Sequence, residues 1–351
     1  MLAGKAYCPV LHARAAEVKA LEQLSAQTKN LLFPLFIARP WPNAKHLERT
    51  WSKLAGAFPD RPYAVALDQF MRGRPNKHPA GGEFDALFDA ANGFEIYYEE
   101  LAKLPNAVPT VQFVGGTLAG FDDQLARAEQ LNRGLVLRLC HGQVANPIGA
   151  VEEVLDKYPE VTIFVDTGWT RDLLSREVWA AGILQRIADL APGSETVVAG
   201  GSFPDSFQRK ERAEIRAEER VLYDNLVRRF NAVAITYGDW GSAREPQEPA
   251  IMKSVPRIDL PMPREWIAFR QIGAETYVQI AARIIADPFW ATSPACWGTY
   301  MIDATAQKLP IAIRGNAAAA AARINLHLER QANFSAPGAA GDGEEPFTDE
   351  F

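Results

Sequence analysis

Cysteine is scarce in this chain of 351 residues, and its pattern excludes two common structural devices. The three cysteines, Cys8, Cys140 and Cys296, lie far apart and form no Cys-x-x-Cys pair. Zinc sites and disulfide scaffolds depend on more cysteines in characteristic spacings. The sequence therefore indicates neither, and each cysteine is expected to be a small buried hydrophobic residue.

Long apolar runs and an excess of positive charge are missing too. No stretch reaches the roughly 18 consecutive apolar residues that a membrane-spanning helix needs, and the first residues lack the order of a signal peptide. The formal net charge is −6, so a broad nucleic-acid-binding surface is not expected, although a local basic groove stays open. A cytoplasmic protein without a membrane partner is predicted.

The motifs of several large enzyme classes are absent. The chain has no HExxH, no GxSxG, no Walker A motif and no GxGxxG. A divalent cation held by Asp68, Asp166 and Asp239 has no support from their spacing, so no metal is predicted. The sequence points to no cofactor.

What the chain does have is a strand followed by an amphipathic helix, repeated eight times. Continuous apolar strands indicate a sheet covered on both faces, and the alternation with helices indicates parallel pairing. Eight such units predict a (β/α)8, TIM-like barrel. The alternative is an open doubly wound sheet, which would usually carry a glycine-rich turn after strand one, and "PVLHARAAEV" has none. The predicted strands span residues 6–13, 31–38, 63–70, 108–116, 134–143, 161–169, 195–203 and 232–240.

The last unit is irregular. Residues 1–333 are predicted to form a single domain, with 241–310 as an insertion that holds a short strand in "EWIAFRQ" and a helix in "ETYVQIAARIIADP". A helix over 317–331 is expected to close the outer layer. "ERAEIRAEERVLYDNLVRRF", after strand seven, is read as an exposed charged helix. The acidic, glycine-rich tail 334–351 is predicted to be disordered.

The functional residues are predicted from position, because sites in (β/α)8 barrels lie at the C-terminal ends of the strands. Polar residues near these ends are expected to form one ring around the mouth. The predicted catalytic residues are Asp68, His141 and Asp166; the predicted ligand-binding residues are Gln112, Arg138, Ser202, Tyr237, Asp239 and Arg270. Asp205 also follows strand seven.

Each of these residues also has a purely structural interpretation. Asp68 and Asp166 could cap the following turn, and His141 could simply be solvated instead of acting as a general base. Arg138 lies in an apolar strand and must be paired there, most naturally with Asp166 on the next strand. In the functional interpretation, the same pair would also hold an anionic ligand, since arginine suits phosphate and carboxylate.

Two motifs add weaker indications. The glycines of "VVAGGSFPDS" could present backbone N–H groups to an anion, or could only relieve crowding at the rim. "TYGDWGS" places Tyr237, Asp239 and Trp240 together, which suits a polar ligand stacked on an aromatic ring.

A set of segments along the chain resembles the phage "beta protein" family, which also occurs widely in bacteria. The segments are "YCPVLHARAAEVKALEQL", "PLFIARP", "VDTGW", "TYGDWG", "WIAFRQIG", "CWGTYMID" and "RINLHLERQ", and they span about residues 5–331. In that family a serine and an aspartate often stand beside the Trp-Gly of the sixth segment. Cys296 and Thr299 stand here instead, so the resemblance implies no acid at this point.

The resemblance implies a barrel-like α/β chain and, by association with phages and with bacterial genes that act against them, a role in phage–host conflict. It implies no reaction. The first hypothesis is therefore a defence-system protein that binds a phosphorylated or nucleotide-like ligand at the barrel mouth and, if it is an enzyme, is a hydrolase. The second is a non-catalytic recognition or scaffold subunit of a defence complex, whose protein partner is a separate effector such as a nuclease.

Overall fold

A computed structural model describes residues 1–204, 211–243 and 255–334 of the chain. Its strands are β1 (Cys8–His12), β2 (Leu35–Ala38), β3 (Tyr63–Leu67), β4 (Ala107–Pro109), β5 (Phe113–Val114), β6 (Thr117–Leu118), β7 (Val136–Cys140), β8 (Thr162–Trp169), β9 (Thr196–Gly201), β10 (Arg212–Arg216), β11 (Ile235–Asp239), β12 (Arg257–Pro261) and β13 (Glu265–Arg270). Its helices are α1 (Ala15–Glu22), α2 (Ala26–Asn30), α3 (Glu48–Ala57), α4 (Ala80–Ala86), α5 (Glu95–Ala102), α6 (Phe121–Leu131), α7 (Pro147–Lys157), α8 (Leu173–Leu190), α9 (Glu218–Arg229), α10 (Tyr277–Ile285), α11 (Trp297–Ala306) and α12 (Asn316–Ala332).

Eight strands form one parallel sheet in the order β4-β3-β2-β1-β11-β9-β8-β7. A backbone bridge between Thr110 and Val136 brings the two ends of the sheet together, with the Val111 N–H donating to the Val136 carbonyl at 2.8 Å. The strands therefore follow one another around the sheet in chain order. The TIM-like (β/α)8 barrel predicted from the sequence is confirmed, and the open sheet is not formed.

The barrel wall separates two apolar clusters, because successive side chains of a strand point to opposite faces. In β7, Val136 joins the interior cluster with Val10 and Phe164, whereas Leu137 and Leu139 pack outward against the helices. Apolar residues fill the interior up to the ends of the strands. The inward positions there are polar, and this change of chemistry makes the mouth the candidate site.

α12 completes the outer layer of helices beside α1. Its Asn325 Nδ2 donates to the Ala20 carbonyl of α1 at 2.9 Å, and its buried Ile324 and Leu328 join the outer apolar cluster. The helix expected over residues 317–331 is thus present, and it lies against the first helix of the chain.

Two strands that follow strand eight, β12 and β13, form a small antiparallel sheet with β10, which follows strand seven, in the order β10-β13-β12. One face packs on α10, α11 and α12 through Ile267, Phe269, Ile280 and Ile302. The extra strand and the helix expected in this region are β13 and α10.

β10 corrects the sequence interpretation of the segment after strand seven. Arg212–Arg216 was expected to begin a helix, but it pairs with β13 in five consecutive registers, and α9 begins only at Glu218. Alternating exposure along "RAEIR" fits a strand. Tertiary pairing with a strand about 50 residues away in sequence therefore overrides local helix preference.

Asp205, residues 244–254 of the predicted insertion and residues 335–351 of the predicted tail lie outside the described residues. Among the helices that are described, none combines the length and the apolar character needed to cross a membrane.

Candidate functional site

The mouth contains an ion pair on the first half of the barrel wall. Arg39, just after β2, donates from Nε (2.8 Å) and Nη2 (2.5 Å) to Oδ2 of Asp68 at the end of β3. The other oxygen, Oδ1, accepts the Phe70 N–H at 3.0 Å and so caps the turn that follows. Asp68 is buried and thus serves both as a turn residue and as the partner of an arginine.

A matching pair lies on β7 and β8. Arg138 donates from Nε (2.9 Å) and Nη2 (2.6 Å) to Oδ2 of Asp166, so the expected ion pair is present. Oδ1 of Asp166 accepts the Gly168 N–H and the Trp240 indole N–H, each at 3.0 Å. The two pairs repeat one arrangement, in which an arginine on one strand approaches an aspartate on the next from the side.

His12, at the end of β1, lies among three arginines. Burial and then repulsion from Arg14, Arg39 and Arg138 hold the pKa of His12 well below its usual range, so its imidazole is neutral at pH 7. The Nδ1 atom is buried and has no hydrogen-bond partner among the described residues. The ring meets Trp240 edge-on, with centroids 5.9 Å apart.

His12, Arg14 and Arg39 are not among the site residues predicted from the sequence, although they too lie at the ends of predicted strands. "PVLHAR" and "PLFIAR" both end a predicted strand on polar residues. We call His12, Arg14, Arg39, Asp68, Arg138 and Asp166 the barrel mouth.

A cavity of about 300 Å³ opens beside Arg138. Its lining includes Gln112, whose Nε2 donates to the Thr110 hydroxyl at 2.7 Å, and Cys140. Gly115 and Gly116 form its rim as the two-residue turn between β5 and β6, with φ of 56° and 82°. Positive φ at both central positions explains the glycines of "FVGGT".

Arg138 supplies this cavity with hydrogen-bond donors. Arg138 lines the cavity, and its Nη1 group has no hydrogen-bond partner within the described ranges. A guanidinium with one edge on an aspartate keeps donors on its other edge for a phosphate or carboxylate.

His141 does not belong to the mouth. It follows Cys140, which points inward, so its own side chain points outward, where it contacts Arg176 and meets Trp179 at 5.0 Å between ring centroids. Burial and repulsion from Arg176 lower the pKa of His141. The structure therefore does not bring this predicted base to Arg138 and Asp166.

Tyr237 and Asp239 also lie on the outer face of the wall, because Gly238 of β11 and Trp240, which follows the strand, take the inward positions. Asp239 accepts hydrogen bonds from the hydroxyls of Tyr7 and Tyr237, the latter at 2.8 Å, and from the Gly241 N–H at 2.7 Å. His327 of α12 contributes Nε2 at 2.7 Å. The prediction of one polar ring containing both Arg138 and Tyr237 is wrong, since strand alternation puts them on opposite faces.

We call Tyr7, Tyr237, Asp239 and His327 the outer network. Burial alone would raise the pKa of Asp239, but attraction to His327 and hydrogen bonds from His327, Tyr7 and Tyr237 lower it below its usual range. The rings of Tyr7 and Tyr237 stack with centroids 5.7 Å apart. The network connects the first strand, the last strand and the last helix.

Ser202 and Arg270 lie in two further settings. The Ser202 hydroxyl donates to the buried Glu219 carboxyl and accepts the Glu218 N–H at 2.9 Å, so it joins the end of β9 to α9. Burial, followed by repulsion from Asp239, raises the pKa of Glu219 to about 8. Arg270 ends β13 in the small sheet, where its carbonyl accepts from Arg283. Neither residue lines the cavity beside Arg138.

In the ranges that the structure covers, no group of three or more His, Cys, Asp or Glu side chains is placed to hold a metal ion. Asp68 and Asp166 point into the mouth and Asp239 points away from it. The three carboxylates therefore do not form one site.

Comparison with known proteins agrees with the family resemblance of the sequence. The model of the family described as "Beta protein" matches residues 7–333. The chain belongs to this family. It is also 27% identical over 341 residues to "Protein beta" of Enterobacteria phage P4, a match that covers 94% of this chain and 93% of the phage protein. No solved structure matches the chain.

Proposed function

We propose that this beta-family protein binds a phosphorylated or nucleotide-like small molecule at the barrel mouth and acts in phage–host conflict. The observation that carries the binding proposal is the position of Arg138, which lines the cavity while one edge of its guanidinium is held by Asp166. Arg14 and Arg39 add positive charge near the same strand ends, since both help to lower the pKa of His12. A planar guanidinium can donate two parallel N–H groups to two oxygens of one phosphoryl group, and its positive charge complements the negative charge of those oxygens.

The two aspartates are positioning residues in this proposal. Both oxygens of Asp68 and both oxygens of Asp166 already accept hydrogen bonds from the protein. Carboxylates engaged in this way orient the arginines and balance part of their charge, which is the role of a positioning residue and not that of a base.

A hydrolase activity would place the catalytic base at His12. Its imidazole is neutral, and its Nδ1 has no partner among the described residues, so Nδ1 could accept a proton from a water molecule. The oxygen of that water would bond to phosphorus while the bond to the leaving oxygen breaks. The arginines would stabilise the charge on the phosphoryl oxygens. His12 replaces His141 in this role.

The alternative is a recognition or scaffold subunit that binds its ligand without cleaving it and works with a separate effector. The engaged carboxylates of Asp68 and Asp166 favour this alternative. The role in phage–host conflict draws support from the likeness to a phage P4 protein over nearly the full length of both chains.

Isothermal titration with inorganic pyrophosphate, AMP and ADP tests the binding proposal. Arg138→Lys keeps the positive charge beside Asp166 but loses the planar two-edged donor, so at least a tenfold loss of affinity is expected. The matched control is Arg49→Lys, an exposed substitution on α3. The proposal fails if none of the three ligands binds, or if both variants bind as the wild type does.

Release of inorganic phosphate from ADP distinguishes a hydrolase from a non-catalytic recognition subunit. A hydrolase loses turnover in His12→Asn while the affinity for ADP persists; a recognition subunit releases no phosphate in either form. Loss of phage protection by Arg138→Lys, in cells that carry the complete system, would link the mouth to phage–host conflict. Unchanged protection would refute that link.

A further inference from the structure

A second and larger cavity, of about 1030 Å³, lies beside the C-terminal end of α12, on the outside of the barrel. Apolar side chains form much of its wall: Leu24 after α1, Met262 after β12, Phe289, and Trp297 at the start of α11. We call it the α12 cavity. None of the barrel-mouth residues lines it, so it is a separate site.

Among the described residues, two charged side chains line this cavity, and only one of them has several hydrogen-bond partners. The Thr28 hydroxyl lies 3.0 and 2.9 Å from the two carboxyl oxygens of Glu329 and shares its one proton between them, and Asn333 donates to Oε1 at 3.1 Å. Burial raises the pKa of Glu329. Because its carboxyl oxygens already have donors, Glu329 does not need a ligand.

Arg330 is different. In the part of the chain that the structure describes, its buried Nε has no hydrogen-bond partner, and the guanidinium makes one long contact, from Nη2 to the Ser293 hydroxyl at 3.4 Å. Within the described chain its guanidinium donates to no carboxylate, and the donors to Glu329 are Thr28 and Asn333. Burial lowers the pKa of Arg330 to about 10, which reflects the cost of holding its charge away from water.

A structural role explains part of this placement. Arg330 lies in the last turn of α12, where a cation is favoured by the helix dipole. That interaction is available to a solvated arginine, however, and does not require the guanidinium to line a cavity. A charged group left in an apolar cavity without a counter-ion is costly unless an anion can reach it.

We propose that the α12 cavity binds a small organic anion whose apolar body packs on Met262, Phe289 and Trp297 and whose acidic group pairs with Arg330. The volume lies near the upper end of the roughly 300–1,000 Å³ typical of small-molecule sites. A largely apolar lining with a few polar and charged groups is the usual composition of such sites. A carboxylate, sulfonate or phosphate monoester on an aromatic or aliphatic body has the matching chemistry.

Two fluorescent probes with the same aromatic body test the proposal on the full-length protein. 8-Anilinonaphthalene-1-sulfonate carries an acidic group, and N-phenyl-1-naphthylamine lacks it. Arg330→Gln removes the charge but keeps hydrogen-bonding groups, so it should weaken the sulfonate about tenfold and leave the uncharged probe within a factor of two. Arg314→Gln, exposed before α12, is the matched control and should change neither.

The Ala295→Trp variant tests whether the probes bind in the α12 cavity. Ala295 lines the cavity from an exposed position, so a bulky side chain there should obstruct the cavity without disturbing the core, and both probes should bind more weakly. The proposal is overturned if the sulfonate does not bind the wild type, if Arg330→Gln weakens both probes equally, or if Ala295→Trp affects neither. Unchanged thermal unfolding of each variant establishes that the comparison is made between folded proteins.

Discussion

The barrel mouth and the outer network use the same residue type on opposite faces of one wall. In both, aspartates at strand ends are buried and accept several hydrogen bonds. Around Asp239 the donors are two tyrosine hydroxyls, a histidine ring nitrogen and a backbone N–H. Around Asp68 and Asp166 the main donors are arginines, which have further N–H groups to offer.

The difference teaches how a buried carboxylate can serve stability or binding. A tyrosine hydroxyl has one proton to donate, so its bond to Asp239 leaves it no donor for a ligand. An arginine has five N–H groups, so the same bond fixes its orientation and leaves donors free. We therefore expect substitutions in the outer network to change stability, and substitutions in the mouth to change ligand affinity.

The largest effect is expected from Asp239→Ala. It removes the acceptor of four buried donors and leaves His327 and two hydroxyls without their partner, so the free energy of unfolding should fall by about 3–5 kcal/mol. Urea denaturation followed by circular dichroism measures this. A loss below about 1 kcal/mol would contradict a structural role for the network.

The lowered pKa of Asp239 also predicts how the effect of Asp239→Ala on stability changes with pH. The pKa of Asp239 in the folded state is below its usual value, so its contribution to stability is present above pH about 4 and is lost as the pH falls further. Asp239→Ala should therefore differ most from the wild type near neutral pH, and the difference should shrink in acid.

A smaller effect, of opposite sign in pH, is expected from Glu219→Gln. The pKa of Glu219 is raised from 4.5 to about 8, so the folded protein holds a proton that the unfolded chain releases. Its contribution is intact below pH 4.5, and the free energy of unfolding decreases as the pH rises towards 8. Glutamine keeps the shape and the contact with Ser202 without the charge.

Relative to the wild type, Glu219→Gln should therefore gain stability between pH 5 and pH 8.5, on the order of a few kcal/mol, because one pKa unit corresponds to about 1.4 kcal/mol. Urea denaturation at both pH values measures the gain. The control is Glu218→Gln, one residue earlier on the half-buried side of α9. Equal pH profiles for wild type and Glu219→Gln would show that Glu219 is ionised in the folded protein.

The smallest effect is expected from Tyr237→Phe. Phenylalanine keeps the stacking on Tyr7 and removes one of the hydrogen bonds to Asp239, so the loss should be about 1 kcal/mol. Tyr223→Phe, which removes a longer bond of 3.2 Å to the Ile235 carbonyl, should cost less. Pyrophosphate affinity should be unchanged in both, and a loss of affinity in Tyr237→Phe would place Tyr237 in the binding site after all.

The sequence predicted the eight-stranded barrel and one ion pair at its mouth. The positions of the barrel strands follow from apolar runs separated by amphipathic helices, which are local patterns. The pairing of Arg138 with Asp166 follows from the cost of an unpaired charge on a buried strand. The strand β10 could not be foreseen in the same way, because its partner β13 is distant in sequence.

To decide which residues belong to the site, a second criterion was needed besides position at the end of a strand. That criterion is the face of the barrel wall on which each side chain lies. His141 and Tyr237 lie near strand ends just as Arg138 does, but one residue of displacement along a strand moves a side chain to the other face. Applying the same alternation to strand one would have selected His12, and to strand two Arg39.

By itself, the sequence determined that the chain folds as eight strand–helix units around an apolar interior. The periodicity of apolar residues is a local pattern, and the hydrophobic effect that buries them requires no specific partner. Only the tertiary structure decided which polar residues meet. Closure of the barrel brings Arg39 and Arg138 to one mouth from positions 99 residues apart, and docking of α12 gives Asp239 its histidine. Such contacts join distant parts of the chain, and no local pattern encodes them.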